Sequence, residues 1–475
     1  MVQKGQIIEI TVEDLAFGGQ GIARLRSDEG DFVLFIENTF PGQLVRAKVE
    51  KKRKRHGECK LLEVLQRSPQ EIQLPYQEIS GAPYIFVPTD IQQEYKKKTT
   101  LDVYRRIGNV KNTDELFDAF IASPDQFFYR NKMEYSFSSI EHVPETGEEI
   151  DDAFALGFKR RGTWWKVENL NRPSGLFDEQ WETLLPELRD LLKSSGLPAW
   201  HPPKKIGFFR HIVVRKSFDQ DQLLIHFVTG SEGLKRFDTD KVTTFLKERL
   251  GKRLAGVWHT INDNVADRAK IENGSSRLLF GNAVVVEKML GLSFEISMES
   301  FFQTNPKSAE RLYTKAIDYV CETAKEGGVI MDLFCGTGTI GQLIAQRVNV
   351  GEIVGVDIVE EAIEDAKRNA KLNGMENLHF FAADVGKFLG LHPEYQGRID
   401  TIVLDPPRAG IAPKTLQKVM LLGAKRIVYI SCNPATQARD ADRMAQEGYE
   451  MKRLSLVDQF PHTSHIEAIA VFEKM

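Results

Sequence analysis

From Pro306 onward, short apolar runs alternate with stretches of helical periodicity. Residues 307–322 read as a helix, and strands are predicted at 329–333, 353–356, 378–382, 401–404 and 427–430. A glycine- or proline-marked loop and a helical stretch follow each of the first four. Strands alternating with helices at this spacing predict a parallel, doubly wound sheet that binds its ligand at the C-terminal strand edge. Two further runs, 451–457 and 466–472, bring the expected sheet to seven strands.

The pattern upstream is different. Residues 1–67 contain short strand-like runs at 6–12, 17–24, 32–36, 44–50 and 59–65, with glycine turns such as Pro41-Gly42 between them. Four or five such strands predict a small closed β-barrel of the oligonucleotide-binding kind. Residues 91–106 read as a helix with basic residues along it. Between 127 and about 302 the chain is largely extended, with runs at 127–138, 153–167, 206–215, 223–228 and 283–286 and a helix at 176–192. That predicts an α+β domain, and periodicity says nothing of its chemistry.

A chain of 475 residues is too long for one core. Its 42% hydrophobic and 27% charged content is that of a soluble globular protein. No apolar run approaches the roughly 18 residues that span a bilayer. The first residues, Met1-Val-Gln-Lys-Gly-Gln, lack the basic and apolar regions of a signal peptide, so a cytoplasmic location is expected. Four scattered cysteines without Cys-x-x-Cys spacing argue against a disulfide framework and a zinc site.

A net charge of −4 alone disfavours a nucleic-acid partner, but the cations are clustered. Lys48, Lys51, Lys52, Arg53, Lys54, Arg55 and Lys60 form one tract. Lys96 to Lys98 with Arg105-Arg106 form a second. Lys159, Arg160, Arg161 and Lys166 bracket Trp164-Trp165, while Lys204, Lys205, Arg210, Arg215 and Lys216 form a fourth. Acidic residues gather elsewhere, at 145–152 and 360–365. Four basic tracts, one interleaved with aromatics able to stack on bases, point to RNA or DNA.

Two positions at the predicted sheet edge carry candidate chemistry. The run 426–430 leads into Ser431-Cys432-Asn433-Pro434, which puts a thiol at the mouth of a hydrophobic strand. Glu467 opens the run 468–472. On neighbouring strands, Cys432 and Glu467 share one pocket as nucleophile and base. The loop Asp332-Leu-Phe-Cys-Gly336-Thr-Gly338 follows the first strand, and its glycines let a ligand approach the backbone. Asp332 suits a cofactor bearing an ammonium group, Asp357 the ribose hydroxyls of an adenosine, and Asp384 the adenine amino group. The fourth strand ends in Asp405-Pro406-Pro407-Arg408. These four pieces in order resemble the Rossmann-like methyltransferases that use S-adenosylmethionine. Cys335 is read as a small apolar residue of the loop.

Nearly the whole chain resembles the RNA (uracil-5-)-methyltransferase family of 23S rRNA and tRNA T-loop enzymes. The resemblance rests on Gly19-Gln-Gly21-Ile-Ala-Arg24, Tyr129-Arg-Asn-Lys132, Phe301-Phe-Gln-Thr-Asn305, the Asp332 loop, Asp405-Pro-Pro-Arg-Ala-Gly410, Ser431-Cys-Asn-Pro434 and His465-Ile-Glu467. It implies a class I methyltransferase sheet preceded by an N-terminal TRAM barrel over 1–67. A central RNA-contacting domain would take 68–92 and 126–300, and the methyltransferase domain 93–125 and 301–475, with a helix at about 91–120 packed on it. By this resemblance Cys432 adds to uracil C6 and Glu467 removes the C5 proton. Gln303, Phe334, Asp357 and Asp405 line the cofactor and target-base pocket, and Phe301 packs beside the extruded uridine. His462 and His465 hold their loop by hydrogen bonds. RNA cytosine-5 enzymes place a cysteine where Pro407 stands, which favours uracil.

The expected substrate is 23S rRNA, with tRNA as the alternative; a non-catalytic RNA-binding factor is disfavoured by the presence of both Cys432 and Glu467. No protein partner or membrane is implied. Many bacterial members hold an iron–sulfur cluster through central-domain cysteines, yet residues 74–83 contain none. No iron–sulfur cluster is therefore expected, with Tyr76, Tyr84 and Phe86 packing in its place.

Overall fold

The computed structural model describes residues 2–26, 30–144, 146–160, 162–265 and 274–475. Glu145 of the acidic run and Arg161 of the third basic tract lie outside the described residues. Among those described, no helix is long and apolar enough to cross a membrane.

Three large sheets make up most of the described fold. The first has six strands, more than the four or five expected, because a two-residue strand, Asp14–Leu15, precedes Gly21–Leu25, the strand formed from the run at 17–24. Its order runs from Ile7–Thr11 at one edge to Asp14–Leu15 at the other, and only Val12 and Glu13 separate those edges in sequence, so the sheet curls round on itself. Val12, Ala23, Leu34, Ile36, Val45, Ala47 and Val49 fill its interior.

The central sheet has nine strands. It contains elements absent from the sequence reading: the helix Thr239–Leu250 and the strands Leu254–Ile261 and Ser275–Gly281. The helix has a readable start, since the Asp238 side chain accepts the Lys241 N–H at 2.9 Å. The hairpin of Val285–Met289 and Leu292–Ile296 joins an apolar cluster that also holds Leu312, Ile317 and Ile330 from the C-terminal sheet region.

The third sheet has eight strands, in the order Leu378–Ala382, Glu352–Asp357, Val329–Leu333, Ile399–Leu404, Arg426–Ser431, Glu467–Lys474, Tyr449–Val457 and Phe117–Ile121. The first five are parallel, and Glu467–Lys474 runs antiparallel to both its neighbours. Val329–Leu333 and Arg426–Ser431 are buried along their whole length, as strands covered on both faces must be. The seven expected strands are joined by an eighth from a segment expected to be helical. The helix Thr89–Arg106 matches the run 91–106 and stops short of the 120 that the resemblance implied; after the short helix Thr113–Leu116, Phe117–Ile121 pairs in parallel with Tyr449–Val457. That short strand covers what would otherwise be an open sheet edge.

Three of the four basic tracts are partly engaged within the fold, although Lys204 and Lys205 stay exposed. Lys96 pairs with Asp458, Lys98 with Asp14, and Arg105 with Asp102 and Asp114. Arg160 contacts His142, and Lys166 pairs with Glu149. Arg210 is fully buried over the Trp200 ring, Arg215 donates to the carbonyls of Met298 and Ser300, and Lys216 pairs with Asp178. The barrel tract differs: Lys52 to Arg55 form the exposed tip of the hairpin Leu44–Lys52 and His56–Gln66.

Candidate active site

The sheet order sets Asp332, Asp405, Cys432 and Glu467 at one edge, on four consecutive strands or the residues just beyond them. Cys432 and Glu467 are related by register. Ser431 pairs with Ala468 across the antiparallel ladder, so one further step puts Cys432 opposite Glu467. Facing positions in such a ladder have Cα atoms about 4.5–5.5 Å apart. Beyond the thiol, Asn433 caps the helix Pro434–Gln446 by accepting the Ala435 N–H, and Pro434 takes the first helical position. The thiol therefore precedes a helix N-terminus, whose partial positive charge favours a thiolate.

Burial works the other way. It raises the Cys432 thiol to about 11, with Glu467 and Asp405 adding to the rise and Arg408 opposing it. Burial lifts Glu467 to about 8, helped by Asp405 and again opposed by Arg408. Asp405 is pushed to about 7 by burial and by Asp332. Arg408 is thus the cation that draws both reactive groups toward their charged forms. Its Nη2 donates to His465 Nδ1 at 2.7 Å, and its carbonyl accepts from Asn433 Nδ2 at 2.9 Å.

Cys432 opens into a cleft of about 490 Å³ shared by three parts of the chain. Arg408, Asn433 and His465 come from the C-terminal sheet, Phe17 and Gly18 from the barrel, and Ser80, Gly81 and Pro83 from the segment after it. This last segment is the stretch without cluster cysteines. Tyr76 there packs against Phe127 and Phe128 with ring centroids 5.0 and 5.5 Å away, Tyr84 packs edge-on to Phe40, and Arg67 lies over Phe86. Among the described residues, no group of three or more His, Cys, Asp or Glu side chains is arranged to hold a metal ion.

The loop that carries Glu467 is gripped from several sides. Lys96 Nζ meets Asp458 at 2.6 Å, both buried, and also donates to the Phe460 carbonyl. Tyr129 donates its hydroxyl to the Pro461 carbonyl at 2.9 Å. His462 adopts a left-handed backbone (φ +67°), stacks on Phe127, and exchanges hydrogen bonds with Gln92 and the Gln126 carbonyl. Burial lowers its pKa to about 4, so it is neutral. Nothing local marks Gln92 or Asp458, and Lys96 reads only as part of a basic tract, since their partners are some 360 residues away.

Next to this lies the glycine-rich loop. Asp332 is fully buried, and its Oδ2 accepts the Gly341 N–H at 2.9 Å. Its Oδ1 has no hydrogen-bond partner among the described residues, and burial raises the carboxyl to about 7. A buried carboxyl with an unsatisfied oxygen fits an approaching ammonium group. Phe334 holds a positive φ of 65°, a strain that packed structure must maintain. Gly336, at φ +53°, faces open space where a ligand can lie against the backbone. Gly338 does not: a Cβ there would meet Phe380 at 2.6 Å, so packing alone requires glycine. Asp357 binds the N–H groups of Gly336 and Val359, each at 2.9 Å, which orients its carboxylate. Asp384 caps the helix Val385–Leu391. The loop thus offers a cationic ligand the unsatisfied Oδ1 of Asp332 and the open space over Gly336.

Gln303 and Phe301 precede the helix Pro306–Cys321. Asn131 Nδ2 donates to the Gln303 carbonyl at 3.0 Å, and the Gln303 side chain engages Tyr313, a buried phenol that also feels Asp405, Glu467 and Asp332. Phe301 is 65% exposed, an unusual state for a phenyl ring beside a cofactor loop. Cys335 is sealed among Ile363, Ala366 and Phe380, and burial drives its thiol well above the ordinary range.

Comparison with known proteins shows the family and the fold. Residues 282–475 match the family model described as tRNA (Uracil-5-)-methyltransferase, and residues 2–62 match the TRAM domain. The chain is 33% identical to an RNA methyltransferase of Clostridium acetobutylicum, covering all of this chain and 99% of that protein. It is 34% identical to one from Caldanaerobacter subterraneus subsp. tengcongensis, over 99% of each. A solved structure of Pyrococcus abyssi tRNA (uracil-54, C5)-methyltransferase with S-adenosyl-L-homocysteine aligns with a TM-score of 0.70 at 23% identity. It covers 98% of this chain and 100% of that one, and shows the shared fold.

Proposed function

The chain belongs to the RNA (uracil-5-)-methyltransferase family and is an S-adenosylmethionine-dependent enzyme, and from that premise we propose that it methylates C5 of a uridine in structured RNA through a covalent adduct on Cys432. The observation that carries this reading is Cys432 facing Glu467 across one strand pair, with the thiol opening into a cleft. Uracil C5 is a weak carbon nucleophile. Addition of the Cys432 thiolate to C6 forms an S–C6 bond and pushes the ring electrons into an enolate, which makes C5 nucleophilic. S-adenosylmethionine, when bound, supplies the electrophilic methyl group that C5 takes. Glu467 then removes the C5 proton, the electron pair reforms the C5–C6 double bond, and the S–C6 bond breaks to restore the thiolate. Arg408 favours both charged forms that these steps need. Stacked in a helix, C5–C6 does not offer its faces to thiol and methyl donor together, so the base must be extruded, and the exposed Phe301 is the ring we assign to contact it.

Ribosomal 23S RNA is the first substrate we propose. A tRNA reading has separate support in the name of the matching family and of the Pyrococcus enzyme. Labelled S-adenosylmethionine offered with each RNA separately decides between them, and transfer to neither defeats the proposal. Substitution of 5-fluorouridine at the target should trap the protein–RNA adduct, because fluorine cannot leave as a proton. Undiminished transfer by Cys432→Ala would rule out the covalent route.

A further inference from the structure

The barrel loop at residues 16–20 is built into the wall of the catalytic cleft. Phe17 and Gly18 line that cleft together with Cys432 and His465. The loop has a fixed seat. Ser464 Oγ donates to the Gly18 carbonyl at 3.1 Å. Gly19 lies so close to its neighbours, at φ +86°, that a Cβ would come within 2.6 Å of Ser464 Cβ and of the Tyr84 hydroxyl oxygen. Behind the loop, Leu15 packs with Phe40, Tyr84 and Val87, and Asp14 pairs with Lys98 at 2.7 Å. Phe17 rests against the core of the C-terminal sheet yet remains half-exposed.

An aromatic ring held in place on the wall of a cleft that contains the nucleophile suits a flat, apolar partner. The family reaction supplies one. Once a uridine has left its stack, the bases on either side of it have each lost a neighbour. An unpaired base gains from stacking on any aromatic face, whatever its identity, and a pre-positioned ring loses little entropy in receiving it. We propose that Phe17 is a substrate-binding residue that stacks on the base adjoining the target uridine, so that the barrel contacts the immediate flank of the modified site. This inference rests on the RNA methylation reading above.

The test uses the full-length enzyme and an RNA fragment that the wild-type protein methylates, intact or with an abasic nucleotide on one side of the target or the other. Phe17→Ala should raise KM for the intact RNA about 5- to 100-fold, the range of one lost base–aromatic stack. KM for S-adenosylmethionine should not move, and Phe17→Tyr should restore RNA binding to near the wild-type value. On one of the two abasic RNAs, wild type and Phe17→Ala should have equal KM. An unchanged KM for intact RNA, or the same penalty on both abasic RNAs, overturns the stacking role. A rise in KM for both substrates with a lowered melting temperature overturns it too, since Phe17 is then only a structural wall. Absence of methyl transfer by the wild-type protein defeats the broader reading, a result distinct from these.

Discussion

Two strand ends in the same sheet each deliver a cysteine, and they part company within a few residues. After Val329–Leu333 the chain turns so that Cys335 is enclosed by Ile363, Ala366 and Phe380, with Asp332 and Asp357 as its charged neighbours. After Arg426–Ser431 the chain enters a helix cap, and Cys432 is left half-buried at a cleft with Arg408 in range. Both thiols are raised by burial and by carboxylates. Only the second opens into a cleft, with a compensating cation in range and a carboxyl group across the ladder. Position at the sheet edge is therefore insufficient, and the loop after the strand decides whether a thiol is packing or chemistry.

The contrast breaks if the two thiols prove interchangeable. Cys432→Ala is expected to lower methyl transfer by at least about 10³-fold, as loss of a covalent nucleophile does. Cys335→Ala should stay within a few-fold of wild type and cost roughly 1 kcal/mol of stability. Rates measured side by side with labelled S-adenosylmethionine check this, and comparable losses in both variants would refute the assignment. Glu467→Gln separates the two halves of the reaction. Addition and methyl transfer survive, proton removal does not, and turnover falls by about 10²- to 10⁴-fold. A protein–RNA adduct stable to denaturing gels should accumulate; its absence, with turnover retained, would remove Glu467 from the mechanism.

Both steps need deprotonated groups, so the rate should climb with pH. With Glu467 near 8 and Cys432 near 11, kcat/KM is expected to rise through pH 8 and to show no falling limb from either group below pH 10. Alkylation sharpens the same contrast more gently. Iodoacetamide at pH 9 should modify Cys432 well before Cys335, read as peptide masses over time, because thiolate fraction and access both favour the cleft. Equal labelling would mean that Cys335 is not enclosed.

How much of this the sequence disclosed follows from distance along the chain. The β–α alternation fixes the parallel strands locally, and 329–333 and 378–382 needed no revision. The pairing of Cys432 with Glu467 was suggested by two strand ends, but their antiparallel register needed the fold. Phe117–Ile121 was misread as helical because its partner strand lies more than 300 residues away, and its own burial is partial. The basic tracts pointed to an RNA partner, but charge on paper does not distinguish the exposed hairpin tip at 52–55 from Arg210, buried over Trp200. Of the residues that hold the Glu467 loop, Gln92 has no local mark, and Lys96 reads as one of a basic tract although its partner is the buried Asp458.

The smallest effect tests the electrostatics of the two ends without any substrate. Glu467 rises from its ordinary 4.5 to about 8 in the fold, and Asp332 from 3.8 to about 7. Each buried carboxyl keeps its proton where the unfolded chain has released it. Unfolding therefore releases a proton within each window, and stability falls as pH climbs through it. Replacing Glu467 by Gln removes that penalty. The variant should match the wild type near pH 4.5, gain on it up to about pH 8, and hold a constant lead above. A lead on the order of a few kcal/mol is the scale of such shifts, enough to raise the melting temperature by at least about 3 °C at pH 9. Asp332→Asn should level off nearer pH 7, with a smaller lead because the amide must still accept the Gly341 N–H. Melting curves at pH 5, 7 and 9 distinguish the two ends. A Glu467→Gln advantage independent of pH would show that this carboxylate is ionised in the folded enzyme, and that Arg408 alone outweighs the cost of its burial.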